Sequence, residues 1–314
     1  MGKRAKVTRP FSYAEGQNPM DIYLSGLGED SQRTMGSALE SIADILSDGK
    51  IAGDQLPWHK LRSPEVNYLR GRLQKYYAPA TANRYLSALR AVLKEAWRAN
   101  LVDRETMERT MDVRSIKGSR ELSGRAITVD DLRAVFEACA SDENGALGAR
   151  DAAILALLYG AGLRRAEAAA LHTEDVSLPE GSIVVRGKGN KERTVFLPKG
   201  TVQALKAWIE VRGGSSGAFF ARVKKSGEVE LKGVSPQLIY LVVEKRHREA
   251  GVEAFTPHDL RRSFISELLD DGIDLSTVAK QVGHSNVQTT ARYDRRGTQA
   301  QMRAATRMKV PFKG

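Results

Sequence analysis

The sequence predicts a mainly α protein with a small antiparallel β-sheet, built as two domains. The first observation behind this is length: 314 residues exceed what one hydrophobic core usually supports. The second is periodicity. Apolar residues recur at helical spacing along most of the chain, interrupted by one pair of short β-type runs that face each other across a turn rich in Gly and Asn. The third is a stretch from Arg114 to Arg125 that holds glycines, serines and cations but little that could pack, as a linker does.

Residues 1–18 combine basic and turn-forming residues without an apolar period and read as a flexible basic arm. A helical domain over 19–113 follows. From Met35 the residues Ala38, Leu39, Ile42, Ile45 and Leu46 form one amphipathic face that stops at Asp48-Gly49. Ser63-Pro64-Glu65 supplies a cap, a first-turn proline and an acid for a second helix through Val66, Leu69, Leu73 and Tyr76. After Pro79, the residues Tyr85, Leu86, Leu89, Val92, Leu93, Ala96 and Trp97 line an apolar face, while Arg90, Lys94 and Arg98 repeat every fourth residue on another. This basic row suits a DNA groove and a solvated helix surface about equally. The linker occupies 114–126.

The second domain spans 127–297. Thr128-Val129-Asp130-Asp131 marks a helix start, and Ala152 to Tyr159 is a strongly apolar helix ended by Gly160 and Gly162. Ile183-Val184-Val185 and Thr194-Val195-Phe196-Leu197 form the hairpin. Further helices are expected over Val202 to Val211, from Ser235-Pro236 to Val243, from Thr256-Pro257 to Leu269, and over Leu275 to Val282. The tail, 298–314, places Met302, Ala305 and Met308 at helical spacing.

Charge narrows the partner. Lys and Arg number 49 against 38 Asp and Glu, giving +11 and a pI near 9.7, which favours a polyanion such as nucleic acid. Residues 1–120 carry 20 cations and 14 acids, and residues 121–314 carry 29 and 24, so the two parts are basic at +6 and +5. Both halves are therefore suited to touch the partner. The single cysteine, Cys139, excludes an intrachain disulfide and a multi-cysteine metal site; Leu132, Val135 and Phe136 place it in a helix core. No apolar run is long enough to cross a membrane, and the basic Met1 to Lys6 is followed by polar Ser12 to Asn18 rather than a secretion signal, so a soluble cytoplasmic protein is expected.

Four stretches of the second domain carry chemistry: Gly162-Leu163-Arg164-Arg165-Ala166-Glu167, Gly187-Lys188-Gly189-Asn190-Lys191, His258-Asp259-Leu260-Arg261-Arg262, and Gly283-His284-Ser285 followed by Tyr293. Together they offer two arginines, a hairpin lysine, two histidines and a tyrosine. Two guanidiniums can grip the non-bridging oxygens of a phosphodiester and stabilise the extra negative charge of a pentacoordinate transition state. Histidines and lysine can move protons. A tyrosine, with a free pKa of about 10, needs such an electropositive setting or a nearby base to attack phosphorus. Tyr159 and Tyr240 fall inside apolar helical patterns and read as core, and Tyr76, Tyr77 and Tyr85 belong to the other domain. The glycine-rich hairpin turn lacks the GxxxxGK[ST] phosphate-loop pattern, the five histidines are too scattered for a zinc set, and no clustered acidic pair suggests a two-metal nuclease.

In residue types, order and spacing, these stretches resemble the tyrosine recombinase (phage integrase) family, particularly its compact Xer-like members. The intervals are 24 residues from Arg164 to Lys188, 94 from Arg164 to His258, 26 from His258 to His284 and 9 from His284 to Tyr293. The resemblance implies a tyrosine recombinase catalytic domain preceded by a helical, SAM-like core-binding domain that closes over DNA from the opposite side. It implies that Arg164 and Arg261 bind the scissile phosphate and that Lys188 protonates the leaving 5′-oxygen. His258 acts as general acid/base, His284 hydrogen-bonds the phosphate, and Tyr293 forms a 3′-phosphotyrosyl intermediate. Glu167 supports the site by orienting its groups, and Arg90, Lys94 and Arg98 contact DNA. No cofactor, neither ATP nor metal, is called for. Implied partners are double-stranded DNA with inverted half-sites and three further copies of the chain, a homotetramer on two DNA sites; packing of the tail within its own subunit is the plain alternative, and the resemblance favours its donation to a neighbouring subunit. Site-specific integration, excision or resolution through a Holliday junction is the expected function. A type IB topoisomerase shares the chemistry but acts as a monomer, and a silent DNA-binding protein would not need the intact set of residues.

Overall fold

Asn18 accepts a hydrogen bond from the Met20 N–H and so opens α1 (Pro19–Ser25). The next helix, α2 (Glu29–Ser47), begins before the first apolar repeat and stops at Asp48 and Gly49, both at positive φ. Helix α3 (Ser63–Tyr76) is capped one residue earlier than the sequence suggests: Glu65 accepts the N–H of Arg62, so Ser63 is already helical. Helix α4 (Pro79–Arg98) is the centre of this region, burying Tyr85, Leu86, Leu89, Val92 and Leu93 against Leu39, Ile42 and Leu46 of α2 and Leu69 and Leu73 of α3. Helix α5 (Arg104–Met111) completes it. The structure, a computed structural model, describes residues 6–118, 126–187, 192–294 and 305–306, and the chain divides into two units, Met1–Ser123 and Gly124–Gly314.

In the second unit, α6 (Val129–Ala140) starts on the predicted Thr128, whose hydroxyl and the Asp131 carboxylate cap each other's N–H groups. Helix α7 (Gly145–Gly160) carries the buried pair Arg150–Asp151 and is apolar from Ala152 on because it is enclosed: Ile154, Leu155, Leu157 and Leu158 are fully buried. A short α8 (Arg165–Ala169) leads to β1 (Val176–Ser177), β2 (Ser182–Arg186) and β3 (Glu192–Phe196), an antiparallel sheet in that order. Ile183 pairs with Val195 and Val185 with Arg193, so the hairpin read from the sequence is present. Lys188 and Lys191 lie outside the described residues, as do Met302 and Met308 of the tail.

Helix α9 (Lys199–Arg212) packs beside α7 and precedes a second hairpin, β4 (Ala221–Val223) and β5 (Val229–Gly233), which the sequence pattern did not reveal. Serine 235 and Thr256 then cap α10 (Pro236–Glu249) and α11 (Pro257–Asp270) as predicted. Asp274 caps α12 (Leu275–Val282) and Asn286 caps α13 (Val287–Ala291). Phe264, Ile265 and Leu269 of α11 join Val278, Val282 and Tyr293 in a small satellite core. Cys139 is buried on α6, where loss of solvent pushes its thiol up to about 12. The protein is therefore mostly helical with small antiparallel sheets. No helix among the described residues is long and apolar enough to cross a membrane.

Candidate active site

Two glycines set the site's backbone. Gly162 turns the chain after α7 at φ +60°, and the Phe264 ring lies 2.4 Å from where a Cβ would stand. Its carbonyl accepts Arg261 Nη1 at 2.5 Å. The turn delivers Arg164 to the N-cap of α8 in an extended conformation, with its backbone N–H donating to Glu167 Oε2 at 2.9 Å. Arg164 Nη1 then reaches Glu167 Oε1 at 2.7 Å and Nη2 reaches the Gly283 carbonyl at 3.1 Å. The side chain is held at its root and along one edge, yet remains 44% exposed, so its remaining donors are open to solvent.

Gly283 is the second glycine. It ends α12 at φ +69°, and the His284 N–H donates to the Ala279 carbonyl at 2.9 Å, closing the helix and aiming the imidazole into the cleft. His284 Nδ1 lies 2.8 Å from Thr290 Oγ1, and its ring stacks on Tyr293 with centroids 6.4 Å apart and an 18° interplanar angle. Burial first, and then the guanidiniums of Arg261, Arg164 and Arg193, bring its pKa down to about 4. It is neutral at pH 7.

Helix α11 supplies the next pair. His258 and Arg261, three residues apart, share a face one turn from the Thr256 cap. Arg261 is 3% exposed and donates from Nη2 to the Val282 carbonyl at 2.7 Å. Burial and the nearby Arg164 lower its pKa to about 10, which leaves it charged at neutral pH. His258 is pulled below its ordinary value by desolvation and by three arginines, opposed by Asp259. Its Nε2 lies 3.4 Å from the Tyr293 hydroxyl. A cavity of about 470 Å³ is lined by Arg164, His258, Arg261, His284 and Tyr293. Arg164 and His284 also line a neighbouring cavity of about 910 Å³ with Arg186 and Gly187 of the hairpin.

The fold thus gathers Arg164, Glu167, His258, Arg261, His284 and Tyr293 from α8, α11 and the α12–α13 region. Lys188 lies outside the described residues; Gly187 and Glu192 on its two sides line the larger cavity. In the other unit, Lys94 and Arg98 are exposed, with Arg98 paired to Glu95 at 2.6 Å. Arg90 differs from the expected open row, because its guanidinium donates to the Met111 and Val113 carbonyls at the end of α5.

Two residues escaped the sequence reading. Tyr240, expected in the core, is only half-buried and lines the smaller cavity. Arg193 grips Glu167 with two bonds, Nη1 to Oε1 at 3.0 Å and Nη2 to Oε2 at 2.8 Å. Burial would raise the pKa of Glu167, but Arg193 and Arg164 outweigh it and hold the carboxylate charged. The available signal was period two: Arg193 falls on the same strand face as buried Val195. The assembled site offers one exposed and one buried guanidinium, two neutral imidazoles and a phenol within hydrogen-bond reach of one of them. That set can bind an anionic phosphoryl group and receive a phenolic proton.

The phage integrase family matches residues 125–299. Tyrosine recombinase XerC of Alcanivorax borkumensis is 30% identical over 257 residues, covering 80% of each chain. Among solved structures, a lambda integrase (75-356) dimer bound to a COC' core site has a TM-score of 0.66 at 15% identity, covering 94% of this chain and 98% of that one. A lambda integrase tetramer bound to a Holliday junction has a TM-score of 0.64, also at 15% identity, over 94% and 79%. At that identity the likeness concerns the fold.

Proposed function

The chain belongs to the phage integrase family and is a site-specific tyrosine recombinase, and from that premise we propose how its residues carry the reaction. Arg164 and Arg261 bind the non-bridging oxygens of the scissile phosphate, the exposed guanidinium meeting it and the buried one fixing its depth. The Tyr293 hydroxyl attacks phosphorus as His258 Nε2 takes its proton. The bond to the 5′-oxygen breaks, and Lys188 gives that oxygen a proton, leaving a 3′-phosphotyrosyl bond and a free 5′-hydroxyl. His284, neutral and aligned by Thr290, donates from its other nitrogen to a phosphate oxygen. A 5′-hydroxyl from a partner strand then attacks the same phosphorus and releases Tyr293. One phosphodiester linkage is exchanged for another, so the bond energy is conserved within the intermediate.

The single observation that carries this reading is the 3.4 Å approach of the Tyr293 hydroxyl to His258 in a cavity walled by both arginines. A nucleophile beside a base, both beside the anion site, is the arrangement acyl and phosphoryl transfer require. Exposed Lys94 suits a DNA backbone, as does exposed Arg98 once it exchanges Glu95 for a phosphate, and Arg90 braces their helix against α5. The reading extends to a homotetramer acting on paired inverted half-sites, to a cytoplasmic setting, and to a mobile element as host. Its test is a nicked suicide substrate carrying the recognition site: wild-type protein forms a covalent adduct stable to denaturant, and Tyr293→Phe binds the same DNA but forms none. Binding by wild-type protein without any adduct would reject the enzymatic reading.

A further inference from the structure

We infer that Arg193 is a positioning residue that fixes the Arg164 guanidinium through Glu167 and locks the hairpin strand to the end of α12; the inference rests on the recombinase reading above. Glu167 is 8% exposed, so its carboxylate depends on the groups around it for solvation. Arg193 supplies two of its bonds, and Arg164 supplies a side-chain bond and a backbone bond. With Arg193 present, Glu167 has one orientation, and that orientation sets where Arg164 Nη1 rests. Without it, two of the four hydrogen bonds to the carboxylate vanish, leaving Arg164 and the more distant Arg261 Nη1 at 4.0 Å, and the remaining charge draws Arg164 inward from the cavity.

The same guanidinium has a second hold. Arg193 Nε donates to the Gln281 carbonyl at 3.0 Å, two residues before Gly283. It also lies against Gly283 itself, where a Cβ would stand 2.8 Å from Nη1 and 3.0 Å from Cζ. Strand β3, which descends from the hairpin turn, is therefore joined by one side chain to α8 and to the helix end that aims His284. A lysine cannot replace it, because three donors in a fixed planar fork are used at once.

The experiment compares wild type, Arg193→Ala and Arg193→Lys in DNA binding and in single-turnover cleavage of the suicide substrate. Binding is expected to stay within about threefold while cleavage falls roughly 10–100-fold in both variants, as loss of an outer partner of a reactive group does. Millimolar guanidinium ion should restore part of the Arg193→Ala rate and none of the Arg193→Lys rate, a response that a merely destabilised fold would not give. A second arm needs no reaction: in the free protein, the side-chain NMR signals of Arg164 should broaden or shift in Arg193→Ala. Cleavage within about threefold of wild type, a loss without guanidinium rescue, or Arg164 signals unchanged by the substitution would each overturn the inference. If wild type forms no adduct but the Arg164 signals still respond, the recombinase reading fails and the coupling between the two arginines stands.

Discussion

Arg164 and Arg261 look alike in sequence and differ in the fold. Arg164 is tethered by Glu167 and the Gly283 carbonyl and keeps an open edge, whereas Arg261 is buried on the Gly162 and Val282 carbonyls. Both supply preorganised positive charge, so Arg164→Ala or Arg261→Ala should lower cleavage by roughly 10²-fold or more, read from single-turnover rates on the trapped substrate. A change within a few-fold would remove the residue from the proposed role. His284 gives a prediction independent of catalysis. Its pKa stands near 4 in the folded chain, against about 6.5 for a free imidazole. Between those values the unfolded chain binds a proton that the folded site refuses, so stability falls as pH drops from about 6.5 to about 4. Replacing His284 with Asn should flatten the denaturation midpoint across that window. An unchanged pH slope would show that His284 is not held neutral.

At the scale of elements, the ends of helices were more legible than their lengths. Thr128, Ser235 and Thr256 each announce a helix by a local hydrogen bond that needs no tertiary context, and each was read correctly. Helix α5 was missed because RETMERTM has almost no apolar face; it is laced by Arg104–Glu108 and Arg109–Glu105 ion pairs and buries only Met107 and Thr110. The β4–β5 hairpin was missed for a related reason, since its strands are three and five residues long and largely exposed. Helix α7 starts seven residues before the Ala152 that the sequence suggests, because Gly145 and Gly148 argue against a helix until Gly148 is packed on the Cys139 carbonyl. The caps also yield a test. Thr256 holds the first turn of α11, which carries His258 and Arg261, through the Asp259 N–H and a reciprocal bond from its own N–H to the Asp259 carboxylate. Thr256→Ala should cost about 1 kcal/mol of stability by denaturant unfolding. No measurable loss would mean that Asp259 alone suffices as the cap.

Across the whole molecule, the residues of the proposed site are spread over 130 positions from Arg164 to Tyr293, and type, order and interval point to them rather than any local pattern. Sequence could nominate candidate reacting groups because phosphoryl transfer limits which side chains serve, and the roles proposed for them rest on the geometry of the cavity. It could not name Arg193 or place Tyr240, because those depend on which strand faces which helix, a matter of packing. Nor could it foresee that Arg90 turns toward the end of α5, since a cation on a helix surface and a cation folded over a neighbouring carbonyl share one sequence pattern. Two phenols, Tyr293 and Tyr240, stand in the same cavity, and one phenolic oxygen is proposed to attack phosphorus. Peptide mass spectrometry of the trapped adduct, after nuclease trimming, decides between them directly. The nucleotide should be found on Tyr293 alone. A nucleotide on Tyr240, or on any other residue, would contradict the account.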